Sequence, residues 1–167
     1  MRRHVVTALG ALSLILCTNA TPLKAAPGDA EIFIRAIGNK TLASLREEGI
    51  TEQERVNRFK ELLEEAFDLQ QIARFTLGRY WRVATNEEKK EYVELFKKFV
   101  IQAYANRFQE LSGKSFRIIQ TRSLSSSHAL VMTEIFAPQN PSIKVNWRVR
   151  SKNHGHKITD VMVEGIS

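Results

Sequence analysis

Between Phe67 and Leu111 the apolar positions fall into two helical stripes that meet at a polar break, Thr85-Asn86-Glu87-Glu88. In the second stripe Val93, Phe96, Val100, Ala103, Tyr104 and Leu111, with the stem of Arg107, follow the three-four spacing of a helix face. Tyr92, Leu95, Phe99 and Phe108 widen it. A helix of about 25 residues would be a rod of roughly 37 Å. Its stripe is broader than contact with a single neighbour requires. Glu87, Glu88, Lys90, Glu91, Glu94, Lys97 and Lys98 hold the wet side. There Lys90–Glu94 and Glu94–Lys98 attract at four-residue spacing, while Glu87–Glu91 repel.

Upstream, Phe33, Ile34, Ile37, Leu42 and Leu45 predict a helix over 29–48. Gly38 weakens its middle by about 1 kcal/mol relative to alanine, and Gly49 suits its end. Thr51 caps a second helix with Glu54 at the capping-box position, and Val56, Phe59, Leu62, Leu63 and Ala66 form its apolar face. Asp68 caps a third, with Gln71 at the box position and Ile72, Phe75, Leu77, Tyr80 and Trp81 following. Gly78 permits a turn or a close backbone approach.

After Gly113 the period changes from helical to alternating. Residues 115–121, 128–137, 143–151 and 157–164 read as four strands. The third is the clearest, with Ile143, Val145, Trp147 and Val149 on one face and Lys144, Asn146, Arg148 and Arg150 on the other. A serine-rich turn at 123–127, the turn Pro138-Gln139-Asn140-Pro141 and a turn at 152–155 connect them. Connections this short imply an antiparallel meander. Helices first and strands second predict an α+β fold: N-terminal helices packed on a curved antiparallel sheet of four strands, with room for an apolar cavity between the layers.

The chain has 167 residues, 43% of them apolar, which suits one globular domain. Its first 26 residues read differently. Met1-Arg2-Arg3-His4 is a basic head, and residues 5–16 form an apolar run too short to span a bilayer. Thr18-x-Ala20 and Leu23-x-Ala25 follow as cleavage motifs. This is the pattern of a secretory signal peptide cut near 20–26, leaving a single domain over 27–167. Cys17 is the only cysteine and lies inside the leader, after Ile15-Leu16 in place of the small residues that lipidation needs. The mature chain then has no disulfide, thiolate metal site or thiol nucleophile.

The net charge is +7. Loss of residues 1–20 removes two of the 25 basic residues and none of the 18 acidic ones, so the mature chain stays basic. The excess suits nucleic acid, an anionic lipid surface or an acidic protein, or plain solubility. Export removes most nucleic-acid partners, and the basic row Lys144, Arg148, Arg150 has no aromatic residues on its own face to stack bases.

No phosphate loop and no nucleophile motif is present. His154-x-His156 lacks a third metal ligand and reads as a solvated turn, so no metal is expected. His128 could pair with Asp160 or Glu164 for acid–base work, although nothing in the spacing demands it. What remains is a surplus of unreactive apolar surface, which either fills the interior or lines a pocket.

Phe67-Asp68, Ile72-Ala73-Arg74-Phe75 and Leu77-Gly78-Arg79-Tyr80-Trp81 resemble the core signature of the MlaC family, also called the toluene-tolerance family. Phe96, Tyr104 and Phe108 fit it, as do Lys157-Ile158-x-Asp160-Val161 and Val163-Glu164-Gly165-Ile166-Ser167. The resemblance covers roughly residues 30–167, and a hopanoid-associated branch shares much of it. It implies a periplasmic phospholipid-binding protein without cofactor, monomeric, that holds acyl chains between helices and sheet. Such a protein passes lipid between an outer-membrane lipoprotein complex and an inner-membrane MCE-type ABC transporter. Family members usually continue past the Val-Glu-Gly segment into a last helix, so this sequence, ending at Ser167, is expected to lack it.

Three readings differ in what the interior holds. A non-enzymatic lipid carrier would line a cavity with Phe75, Tyr80, Trp81, Phe96, Val100, Tyr104, Val131, Val145, Trp147 and Val149. An exported enzyme with a cone-shaped α+β cavity would place His128 or Asp160 as a buried base on the pocket floor. An interaction domain would have a filled core.

Overall fold

Three polar side chains start the middle helices, each by accepting the backbone N–H three residues on. Thr51 Oγ1 accepts from Glu54 at 3.2 Å, Asp68 Oδ1 from Gln71 at 3.0 Å and Thr85 Oγ1 from Glu88 at 3.2 Å. Glu88 also reaches back, accepting the Thr85 N–H at 2.7 Å, which makes the polar break a reciprocal capping box. The computed structural model describes residues 27–47, 49–137, 140–152 and 155–167. The expected leader, Cys17, Pro138, Gln139 and His154 lie outside them.

The elements are α1 (Pro27–Ser44), α2 (Glu52–Ala66), α3 (Leu69–Leu77), a 3-10 turn (Gly78–Arg82), α4 (Asn86–Phe108), a second 3-10 turn (Gln109–Leu111), and strands β1 (Ser115–Ser123), β2 (His128–Ala137), β3 (Asn140–Lys152) and β4 (Gly155–Val163). The expected α+β class is correct. The sheet runs β1-β2-β3-β4, antiparallel throughout. Register shifts between Ile118 and Gln120 and between Arg148 and Val149 bend it. Several boundaries differ from the sequence reading, β3 among them, which begins at Asn140 inside the turn expected over 138–141. Helix α1 stops at Ser44. Tyr80 and Trp81, read as part of α3, lie in the 3-10 turn. Gly78 causes this, because at φ 59° it leaves the helical region and its N–H closes onto the carbonyls of Arg74 and Phe75.

The layers meet in two apolar clusters. In the first, Ala30 and Ile34 of α1 lie on Ala129, Val131, Val149 and Ile158 of the sheet, with Phe33, Ile37 and Trp147 around them. In the second, Phe59 and Leu63 of α2 and Leu69 of α3 pack with Ala105 of α4 and Leu45. Phe67 packs against both clusters. It occupies the extended link between α2 and α3 and forms a parallel bridge with Ile158, while the Asp68 N–H donates to the Ile158 carbonyl at 2.8 Å. The Asp68 carboxylate pairs with Arg150 of β3. Lys157 Nζ donates to the carbonyls of Glu64 and Glu65 at 2.9 and 2.6 Å, satisfying the end of α2 from β4.

Gly38, read from sequence as a weak point of α1, is where the helix meets the sheet. A Cβ there would lie 2.4 Å from the ring tip of Phe116 on β1. Gly38→Ala is therefore expected to destabilise by about 1–2 kcal/mol by overpacking, against the roughly 1 kcal/mol that helix propensity alone would add. Urea unfolding checks this, and Phe116→Leu in the same chain should recover most of the loss. Asp68→Ala removes a cap and leaves Arg150 unpaired, with an expected cost of about 2 kcal/mol. Asp68→Asn, which keeps the capping oxygen, should lose less in the same measurement.

Candidate functional site

The side of α4 that the second cluster leaves over is the key to the surface. Val100, Ile101 and Ala105 turn into the second cluster. Leu95 and Phe99, from the widened part of the stripe, are exposed, and so is Tyr104 of the stripe itself. The same happens around the first 3-10 turn, where Phe75 is 79% exposed, Tyr80 56% and Val83 81%. An open groove of about 460 Å³ lies here, lined by Gln71, Arg74, Phe75, Gly78, Trp81 and Arg82. Gly78 positions it, because α3 ends at this residue and the 3-10 turn that follows sets Trp81 in the same groove as Phe75.

The ten residues expected to line a cavity occupy three places. Phe75 and Trp81 share the groove, and Tyr80 stands next to it with Arg79 donating to its hydroxyl at 3.0 Å. Phe96 stacks on Tyr92 with ring centroids 6.2 Å apart, Val100 packs in the second cluster, and Tyr104 is exposed beside Arg107. Val131, Val145 and Val149 are buried on the inner sheet face, and Trp147 is half-buried among them. Val131 faces Trp147 across β2 and β3, and Val145 pairs with Thr133.

Thr133 was not anticipated as a site residue. It is the one buried polar side chain among the described residues, 2% exposed on the inner face. Its hydroxyl donates to the Val145 carbonyl at 2.9 Å and accepts from Trp147 Nε1 at 2.9 Å. The alternation of β2 could have revealed it, since Thr133 takes the same side as Ala129 and Val131. With both partners made, the wall keeps an apolar character despite a hydroxyl and an indole N–H.

The acid–base candidates are not brought together. His128 Nδ1 lies 3.1 Å from Ser127 Oγ and 3.3 Å from Ser125 Oγ in the serine turn. Asp160 accepts from Ser167 Oγ at 2.6 Å. His128 pairs with Arg150 and Asp160 with Arg148, so a strand separates them by on the order of 10 Å. Among the described residues no group of three or more His, Cys, Asp and Glu side chains could hold a metal ion. Elsewhere on the sheet, hydrogen bonds from Ser142 and Arg117 hold Glu134 below the usual carboxylate range, so it is a fixed anion near neutral pH.

Helices on a bent antiparallel meander, with an open groove of mixed aromatic and basic lining, define a two-layer α+β protein with surface to spare. The MlaC protein family matches residues 35–167, and the chain belongs to that family. Among solved structures it is similar to the phospholipid-binding protein from Ralstonia solanacearum, determined in complex with a phospholipid. The two share 18% identity over 82% of this chain and 79% of that one, with a TM-score of 0.70. No curated protein sequence matches the chain.

The inner-wall hydrogen bonds can be checked directly. Thr133→Val keeps the shape but strips Trp147 Nε1 of its acceptor, and is expected to cost about 1–3 kcal/mol in chemical unfolding. Intrinsic tryptophan fluorescence should change with it.

Proposed function

We propose that this protein is a non-enzymatic phospholipid carrier of the periplasm, the soluble component that moves lipid between an outer-membrane lipoprotein complex and an inner-membrane MCE-type ABC transporter. The observation that carries the reading is membership of the MlaC family over 35–167. The fold shared with a protein solved with bound phospholipid supports it. So does the apolar surface left open around Phe75, Trp81 and α4.

The physical need is large. Each acyl CH₂ exposed to water costs about 0.8 kcal/mol, so one sixteen-carbon chain costs on the order of 12 kcal/mol and a diacyl lipid about twice that. Lipid does not cross an aqueous gap unaided at that cost. A carrier has only to match the bilayer it draws from. It needs hydrocarbon walls and no nucleophile, metal or cofactor. In this reading acyl chains lie along the inner sheet face, against Val131, Val145, Trp147 and Val149. The helix layer adds Phe96, Val100 and Tyr104, and the head group rests near Phe75, Tyr80 and Trp81, where Arg74 and Arg82 favour a phosphate modestly. Ligand entry there requires the helices to part from the sheet.

Mass spectrometry of lipid extracted from the purified protein tests this. Co-purifying phospholipid is expected, and a hopanoid in its place would assign the chain to the related branch's cargo. Tyr104→Asp and Phe75→Asp, both at exposed positions, should leave the fold intact and cut lipid loading about tenfold, because a carboxylate beside an acyl chain must be desolvated. A purified protein carrying no lipid, and taking up none from vesicles, would refute the reading.

A further inference from the structure

From Leu69 to Asn86 the chain holds three arginines, Arg74, Arg79 and Arg82, and no acidic residue. All three are exposed, and none forms an ion pair among the described residues. Elsewhere Arg35 pairs with Glu31, Arg58 with Glu47 and Glu54, Arg117 with Glu134 and Arg150 with Asp68, while Arg46, Arg107, Arg122 and Arg148 are scattered and form no ion pair among the described residues either. The three-residue repeat of the 3-10 turn eclipses positions three apart, which puts Arg79 over Arg82. Tyr80 and Val83 are three apart as well, and both are among the most exposed large apolar residues of the protein. Lys89 adds a fourth cation, its Nζ 5.9 Å from the Trp81 ring centroid. The nearest carboxylates in sequence are Asp68, which pairs with Arg150, and Glu87 and Glu88 of α4, of which Glu88 is engaged with the Thr85 N–H.

Exposed Phe, Tyr and Val are costly to leave in water, and the arginines interleaved with them match the interface of an anionic bilayer, where rings sit at head-group depth and guanidinium groups reach lipid phosphates. We propose that the segment from α3 through the 3-10 turn docks directly onto an anionic membrane surface, with Phe75, Tyr80 and Val83 entering the head-group layer and Arg74, Arg79, Arg82 and Lys89 lying on the phosphates. The contact names a partner for the same site and rests on the carrier reading for its biological purpose. It would set the groove against the bilayer, so that cargo need not pass through bulk water.

Sedimentation of the purified protein with phosphatidylcholine vesicles, and with mixed phosphatidylcholine–phosphatidylglycerol vesicles, tests the contact. Binding is expected to the mixed vesicles only, and to weaken as salt is raised. Arg79→Gln should reduce it about fivefold, and Arg79→Gln with Lys89→Gln about thirtyfold. Val83→Asp should reduce it further, with circular dichroism and melting temperature unchanged in all three. Equal binding to neutral vesicles, binding insensitive to these variants, or no vesicle binding overturns the proposal. So does a dimer in solution that Val83→Asp dissolves, since a second copy would then cover the patch. Bound lipid is measured in parallel on the same variants. Vesicle binding through the patch without any co-purified lipid leaves the docking surface standing and removes the carrier function, whereas lipid-loaded protein that ignores vesicles does the reverse.

Discussion

The junction Phe67-Asp68 holds the two halves of the protein in register. A single extended step between α2 and α3 gives one ring that touches both apolar clusters and one backbone N–H committed to the sheet at Ile158. Its carboxylate is shared between the start of α3 and Arg150. A half-buried ion pair by itself is poor evidence of stabilisation. Here the carboxylate also satisfies a helix terminus, and the backbone bond beside it fixes the depth at which the helices hang on β4. Lys157 on the same strand ties down the last carbonyls of α2. Loss of this corner would free α2, α3 and α4 from the sheet as a body, because α1 reaches the sheet through its own residues.

That division explains why the fold offers surface in place of a single solid interior. Helix α1 covers one part of the inner sheet face, and the other helices form a separate cluster beside it. Apolar area is therefore left on α4 and around Gly78, where Leu95, Phe99, Phe75, Tyr80 and Val83 meet solvent. Exposed apolar area concentrated in this way marks a place where something else binds. Membership of the MlaC family and the shared fold make lipid the natural candidate, and the acid–base residues that an enzyme would need stand apart on the sheet and in its turns.

Much of this was legible in the sequence. The change of period at Gly113 marked the order of the layers, and alternation in β3 marked its inner face. Thr51 and Asp68 announced helix starts that the structure realises, and the polar break at 85–88 proves to be a third cap. Local rules could not say what Gly38 meets. Propensity scored it as a defect, while its reason is a phenylalanine ring nearly eighty positions on, which only the tertiary arrangement supplies. Tyr80 and Trp81 were assigned to α3 because helical spacing continues through them. The positive φ of Gly78 breaks the helix, and that freedom is invisible to periodicity. Among the ten lining residues, sequence pattern could identify apolar character but not whether a side chain such as Val149 faces a neighbour or a void.

The hydroxyl of Thr133 and the indole of Trp147 spend their hydrogen-bonding capacity on each other and on the Val145 carbonyl. A molecule that reached that part of the sheet, once the helix layer had parted from it, would meet no free hydrogen-bonding group on these two side chains. Hydrocarbon would then be held there by burial alone, and more firmly the longer its tail.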